Sequence, residues 1–170
     1  MSTNKFLTVV SGVTRLVQAI ASSAGAGDAD KVVATGSDGK IDVTLMPTGI
    51  GPNVAIIEAT ENLAAGDFVN IHDSTGAKVR KADASNSRAA HGFVLSSVTL
   101  GQDATVYRSG SNTALTSLTP GASYYLSASS AGLPTATAPT ASGTIVQQLG
   151  VAESTTAIIF EYDAPITLDA

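Results

Sequence analysis

Apolar residues near the start of the chain recur at intervals of three and four. They are Phe6, Val9, Val13, Leu16 and Ile20. This spacing predicts an amphipathic helix with one apolar stripe. Two interpretations are open: the stripe packs on its own domain, or it forms a seam of two heptads against other copies or a partner. Because so short a helix is unstable alone in water, we expect the stripe to be covered.

The next segment has the composition of a linker followed by an arm. Residues 21–27 are only Ala, Ser and Gly, which is typical of a flexible linker. Residues 28–52 carry short apolar groups separated by Gly and Pro, which interrupt regular structure. The apolar residues of this predicted extended arm are Val32, Val33, Ile41, Leu45, Met46 and Ile50. We expect either the rest of this chain or a neighbouring molecule to cover them.

From Asn53 onward the pattern changes to short apolar runs and period-two alternation. The predicted strands span residues 54–59, 67–72, 77–83, 90–97, 105–108, 123–128, 144–151 and 157–162. Short strands without intervening helices predict an all-β fold, a small antiparallel barrel or sandwich. The chain is therefore predicted to have two parts. Residues 1–52 form an N-terminal helix and attachment arm, and residues 53–170 form a β-rich body.

The body contains a weak internal repeat. Residues 65–71 resemble residues 120–126, since each segment has a Gly turn followed by an apolar strand. Further along, the Gly-containing apolar strand at residues 91–95 resembles residues 149–152. Similarity at a fixed spacing indicates a repeated structural unit. We predict a duplicated unit of four strands, although any two β-meanders share some of this pattern.

Composition narrows the possible partners. Charged residues make up only 14% of the chain, and its formal net charge is −5. Nucleic acid and membranes are therefore predicted not to be partners, because both require a concentrated basic surface. The absence of Cys excludes disulfides, thiolate zinc sites and cysteine nucleophiles. Arg15 interrupts the first apolar run, so we do not expect this run to be a secretory signal.

No set of residues in the sequence has the spacing of a catalytic or metal site. His72 and His91 lie on different predicted strands, whereas a zinc site needs three or four ligands. Residues 36–40 (GSDGK) lack the glycine spacing of a phosphate-binding loop. Glu58 and Glu61 are interpreted as solvated acids. We predict no enzyme activity, no cofactor and no metal.

Three segments resemble virion proteins of tailed phages. Residues 30–47 (DKVVATGSDGKIDVTLMP) resemble a segment that links an attachment region to a β-rich body in such proteins. Residues 118–127 and 148–152 resemble the small β-modules of phage capsid decoration and fibre proteins. Residues 65–70 and 92–94 are similar to the barrel of capsid cement proteins.

The resemblance implies a structural protein of the virion that decorates and stabilises the capsid. Such a protein binds across neighbouring subunits of the major capsid protein on the outer capsid surface, after assembly in the host cytoplasm. The apolar stripe and arm are then the candidate contacts with the capsid. A homotrimer is expected, because capsid lattices offer threefold positions and closed symmetry fixes the size of such clusters. The alternative is a tail-fibre or baseplate accessory protein that binds a receptor or the tail.

Overall fold

A computed structural model describes residues 5–46 and 53–169, and these residues are mostly β-structure. The strands are β1 Lys5–Val10, β2 Val13–Gln18, β3 Val54–Glu58, β4 Phe68–Asp73, β5 Ala77–Lys81, β6 Gly92–Phe93, β7 Asp103–Tyr107, β8 Gly110–Asn112, β9 Ser123–Leu126, β10 Pro134–Thr135, β11 Ile145–Val146, β12 Gln148–Ala152, β13 Ile158–Phe160 and β14 Ile166–Thr167. The helices in these ranges are short 3-10 turns at Ala26–Asp28, Val43–Leu45 and Ala84–Asn86. Contacts divide the chain into two units, Met1–Gly51 and Pro52–Ala170.

The predicted N-terminal helix is wrong, because residues 5–18 form an antiparallel hairpin of β1 and β2. Ser11 and Gly12 connect the strands with φ angles of 54° and 77°. Two left-handed residues in a two-residue loop suit the twist of a hairpin. β-Branched residues on both sides of the loop also favour strands over a helix. The helical spacing arose because apolar residues occupy both faces of the hairpin.

The second unit contains two five-stranded antiparallel sheets with the same strand order. The first sheet has the order β3-β7-β6-β4-β5, and the second has the order β8-β13-β12-β9-β10. When the strands of each sheet are counted in their order along the chain, both sheets have the same arrangement. The first strand lies beside the fifth, the fifth beside the fourth, the fourth beside the second and the second beside the third. The sequence predicted a unit of four strands, whereas each sheet contains five. The predicted unit left out the strand that comes first along the chain in each sheet, β3 in one and β8 in the other.

Backbone hydrogen bonds repeat along with the strand order. Gly66 N–H donates to the Val94 carbonyl at 2.8 Å, and Gly121 N–H donates to the Ala152 carbonyl at the same distance. In the reverse direction, Val94 N–H reaches Asp67 and Ala152 N–H reaches Ala122, both at 3.0 Å. In the first sheet, hydrogen bonds therefore connect the turn before β4 to the end of β6. In the second sheet, they connect the turn before β9 to the end of β12.

Neither sheet is a closed barrel, so that part of the prediction is wrong. The first sheet curls until Ala59 pairs with Val79 by a single parallel bridge. One bridge does not make the continuous ladder that closes a barrel. The curled sheet encloses its own apolar cluster, which consists of Ile57, Ala59, Leu63, Val69, Val79, Val94, Ala104 and Val106.

The two sheets share a second, larger apolar core. Phe160 of the second sheet lies 5.6 Å from Phe68 and 6.0 Å from Phe93 between ring centroids. Phe93 also stacks on Tyr107 of its own sheet at 5.4 Å. Aromatic contacts at these distances contribute beyond the apolar area that they bury. The sheets consequently form one structural body.

Buried amides add polar bridges between the two sheets. The Gln147 side chain is fully buried, accepts from the Ala90 N–H at 2.7 Å and donates to the Ala90 carbonyl at 2.9 Å. It also donates to the Asp163 carbonyl at 2.8 Å. Asn112, also buried, donates to the Gly66 carbonyl at 2.8 Å. Each amide satisfies backbone groups that would otherwise be buried without partners.

Gln147→Leu is expected to destabilise the second unit by several kcal/mol. The change leaves the buried Ala90 amide and carbonyl without partners, and each such group costs about 1–3 kcal/mol. Urea unfolding followed by tyrosine fluorescence measures this, because all tyrosines lie in the second unit and the chain has no Trp. Gln148→Leu is the control, since Gln148 is partly exposed and makes one long hydrogen bond of 3.4 Å. Equal losses in the two variants would contradict the bridging role of Gln147.

Gly150→Ala is expected to cost more than Gly121→Ala. Both glycines have positive φ angles, 142° and 81°, a conformation that costs a residue with a side chain about 1–2 kcal/mol. Only at Gly150 would a Cβ atom also overlap the Ile159 carbonyl oxygen of the neighbouring strand, which adds about 1–3 kcal/mol. Unfolding free energies of the two variants provide the comparison. A Gly121 variant as unstable as the Gly150 variant would show that steric overlap is not decisive.

Candidate partner-binding surface

The hairpin arranges its side chains on two faces. Residues directly opposite each other in an antiparallel pair share a face. One face holds the pair Leu7 and Leu16, with Val9 beside it; we call these three residues the leucine face. The opposite face holds the pair Phe6 and Val17. Apolar residues therefore lie on both sides of an isolated two-stranded sheet.

The leucine face holds the most exposed apolar side chains among those of the hairpin that the structure describes. Leu7, Val9 and Leu16 have exposed fractions of 70%, 66% and 61%. Val13 is also exposed, whereas Phe6 is half-buried. A two-stranded hairpin alone is at best marginally stable in water, and exposed apolar clusters usually mark interfaces. The hairpin is thus suited to packing against another surface.

The arm contains little regular structure between residues 19 and 46. Ile20 forms a parallel bridge with Val33, donating its N–H to Val32 and accepting from Ala34 at 2.9 and 2.8 Å. Ile20, the last residue of the predicted stripe, is half-buried. Of the predicted contact residues in the arm, Leu45 is half-buried and the others within the described ranges are exposed. The exposed ones are Val32, Val33, Ile41 and Met46. Ile50 lies outside the described residues.

Polar side chains fix local turns in the arm. Lys31 Nζ donates to Asp28 at 2.7 Å, and the Ala24 N–H donates to the same carboxylate at 2.7 Å. These bonds, with that of Lys31 first, hold the pKa of Asp28 below its usual value. Hydrogen bonds from the Thr44 hydroxyl and N–H likewise lower the pKa of Asp42. The arm is therefore locally ordered while its apolar side chains stay exposed.

Leu7 was not part of the predicted helical stripe. In the hairpin Leu7 lies opposite Leu16, one of the predicted contact residues. The signal that could have found it is the Ser11-Gly12 pair between two β-branched runs, which is a hairpin signature. Two further residues of the predicted stripe, Val9 and Val13, are exposed on opposite faces of the hairpin.

Side chains considered for chemistry in the second unit make structural contacts. His72 Nε2 lies 3.0 Å from the Thr60 hydroxyl. Glu58 forms an ion pair with Lys78, and Glu61 accepts a 2.6 Å hydrogen bond from the Lys81 N–H. The two acids are thus engaged with β5 and are not simply solvated. Among residues 5–46 and 53–169, no three His, Asp or Glu side chains cluster closely enough to hold a metal ion.

No protein-family model, curated protein or solved structure matches the chain. In the part of the chain that the structure describes, no helix is long and apolar enough to cross a membrane.

His91 is expected to make the second unit less stable in acid. Burial, and the nearby positive charge of Arg108, lower the pKa of His91 below 6.5. Its Nδ1 accepts a 2.9 Å hydrogen bond from the Ile71 N–H, which a protonated Nδ1 would abolish. Above pH 6.5 both the folded and the unfolded chain carry neutral His91, so its contribution is fully present. Below pH 6.5 the unfolded chain binds the proton first, and stability falls as the pH falls.

The measurement is the unfolding free energy between pH 7.5 and pH 5 for the wild type and His91→Asn. Carboxylate titration is common to both proteins, so the difference between the two curves isolates His91. We expect the wild type to lose stability faster, by at most about 1.4 kcal/mol per pH unit for one proton. Parallel curves would show that His91 does not contribute.

Proposed function

We propose that this chain is a structural protein of a phage virion that decorates and stabilises the capsid. In this proposal it binds on the outer surface across neighbouring subunits of the major capsid protein, as a homotrimer, and has no enzyme activity. Residues 30–47 and the β-modules support it through their resemblance to virion proteins. The protein would be made in the host cytoplasm and act on the assembled shell.

The observation that carries the proposal is the exposed apolar surface of the first unit. Val32, Val33, Ile41 and Met46 stay exposed in a segment of mostly polar and small residues. Burying apolar surface is favourable by about 25 cal/mol per Å², less the entropy lost when the arm is ordered. An arm of this kind can gain contact area across the boundary between two capsid subunits without any chemical reaction.

The second unit fits a role that needs rigidity. Its two sheets share an aromatic core, and buried amides connect them. A protein that resists deformation of a shell must transmit force through a body that does not rearrange, and close-packed interiors do so. Binding would thus be concentrated in the first unit and mechanical support in the second.

The alternative location is the tail, since fibre proteins share the same β-modules. Immunogold labelling of intact particles distinguishes the two. Label on the head supports the proposal, and label confined to the fibres or baseplate replaces it with the alternative.

Capsid binding is expected to require the arm. Ile41→Ser with Met46→Ser removes two exposed apolar side chains, and we expect at least a tenfold loss of affinity for capsids that lack the protein, measured by co-sedimentation. Loss of buried Ile and Met side chains, about 1.5–3 kcal/mol each, gives this magnitude. Leu100→Ser is the control, because Leu100 is an exposed apolar residue of the second unit.

A deletion of residues 1–46 extends the same test. We expect it to abolish binding while circular dichroism and tyrosine fluorescence still report a folded second unit. If the double serine variant still occupies capsids at the wild-type level, the role of the arm is contradicted, whether or not the deletion variant binds.

A further inference from the structure

The repeated topology places equivalent side chains on one face of each sheet. In the first sheet, a row across β4, β6 and β7 is formed by Phe68, Phe93 and Tyr107. In the second sheet, the row across β9, β12 and β13 at the same register consists of Ser123, Val151 and Ile159. A glycine precedes the central residue of each row, Gly92 in one and Gly150 in the other. We call the second set the outer row.

The two equivalent rows differ in what covers them. Phe68 and Phe93 are fully buried beneath Phe160 of the other sheet. In the outer row, Val151 and Ile159 have exposed fractions of 37% and 41%. The outer row of the second sheet is therefore uncovered, whereas the equivalent row of the first sheet is covered by the apolar face of the second sheet.

An open groove lies along the outer row. Its volume is about 370 Å³, and it is lined by Gln148, Gly150, Val151, Ile159, Glu161, Tyr162 and Asp163. The charged members of this lining, Glu161 and Asp163, are both acidic. An occupant with apolar side chains and positive charge would complement the groove, because complementary potentials favour association.

The hairpin has this chemistry. Lys5 and Arg15 are the charged residues between positions 5 and 18, which contain no acid. Lys5 lies opposite Gln18, on the same side as the leucine face, whereas Arg15 lies on the opposite side with Thr8. The leucine face is an exposed apolar sheet face, the type of surface that covers the equivalent row in the first sheet.

We propose that the leucine face of one copy packs on the outer row of a second copy. Lys5 then lies near Glu161 and Asp163 of that second copy. The contact joins two different surfaces, so each copy gives a hairpin and receives one. Such heterologous contacts generate a closed ring when the rotation between copies closes. This inference does not depend on capsid binding.

Disulfide capture tests the contact directly, because the chain has no Cys of its own. Two full-length variants with different tags, one carrying Leu7→Cys and the other Ile159→Cys, are co-expressed, oxidised and analysed by mass spectrometry. We expect a disulfide between the two chains, since a bridge forms only when the Cα atoms come within about 7 Å. The matched control pairs Leu7→Cys with Leu100→Cys, another exposed apolar position outside the groove.

Equal yields for the two pairs would overturn the proposal. So would a double variant, Leu7→Cys with Ile159→Cys, that forms its disulfide only within one chain at every protein concentration.

Charge reversal gives a second, independent test in sedimentation equilibrium. Lys5→Glu is expected to weaken self-association up to about fivefold, the range of an exposed ion pair, and Glu161→Lys in the same chain is expected to restore it. Arg15→Glu, on the other side of the hairpin, is the matched control and should change association less. Ile159→Ser should weaken association at least tenfold.

A wild-type chain that remains monomeric at high concentration would overturn this proposal and the homotrimer of the proposed function, but it would leave capsid binding by single copies untouched. A wild-type chain that self-associates but does not bind capsids would overturn the proposal for capsid binding and leave this one intact.

Discussion

The contact of Phe160 with Phe68 and Phe93 determines how the second unit is built. Each sheet has one face that it cannot cover by itself, and a sheet with one uncovered apolar face is not stable in water. Phe160 reaches both rings from the other sheet at about 6 Å or less. With that contact in place, the Gln147 and Asn112 amides are buried and must find their partners across the same junction. The polar bridges are thus a consequence of the aromatic packing.

Small residues make this packing possible. At Gly92 and Gly150 the neighbouring strand lies so close that a side chain would overlap its carbonyl oxygen. Buried alanines such as Ala82, Ala84 and Ala90 fill the space beside the rings. Close approach of backbones makes the bulk of each side chain critical, since interiors pack as densely as crystals. Five of the eight aromatic residues lie in or against this core, namely Phe68, Phe93, Phe160, Tyr124 and Tyr107.

Short apolar runs and period-two patterns identified most strands of the second unit. Strands such as β7 and β13 alternate between buried and exposed residues, whereas β4 begins with a run that is buried on both faces. The pattern failed where a strand is too short to alternate, as in β8 and β14, whose partners β13 and β11 are distant in sequence. It failed again in the hairpin, where both faces carry apolar residues and the spacing fits a helix equally well. For the candidate surface, composition indicated which residues would be exposed in the arm, such as Val32 and Ile41. The place of Leu7 on the leucine face, opposite Leu16, follows only from the correct register of the two hairpin strands.

The difference between the two equivalent rows connects the fold with the proposed roles. If both sheets used large aromatic residues in this row, the second would expose rings that favour unspecific aggregation. Ser123, Val151 and Ile159 instead give a shallower apolar surface with acids at its margin. In the proposed contact, such a surface favours a small, positively charged apolar element over an acidic one, because like charges brought together are penalised. In the proposed contact, the same topology provides a buried row in one sheet and a selective contact row in the other, because the side chains at the equivalent register positions differ.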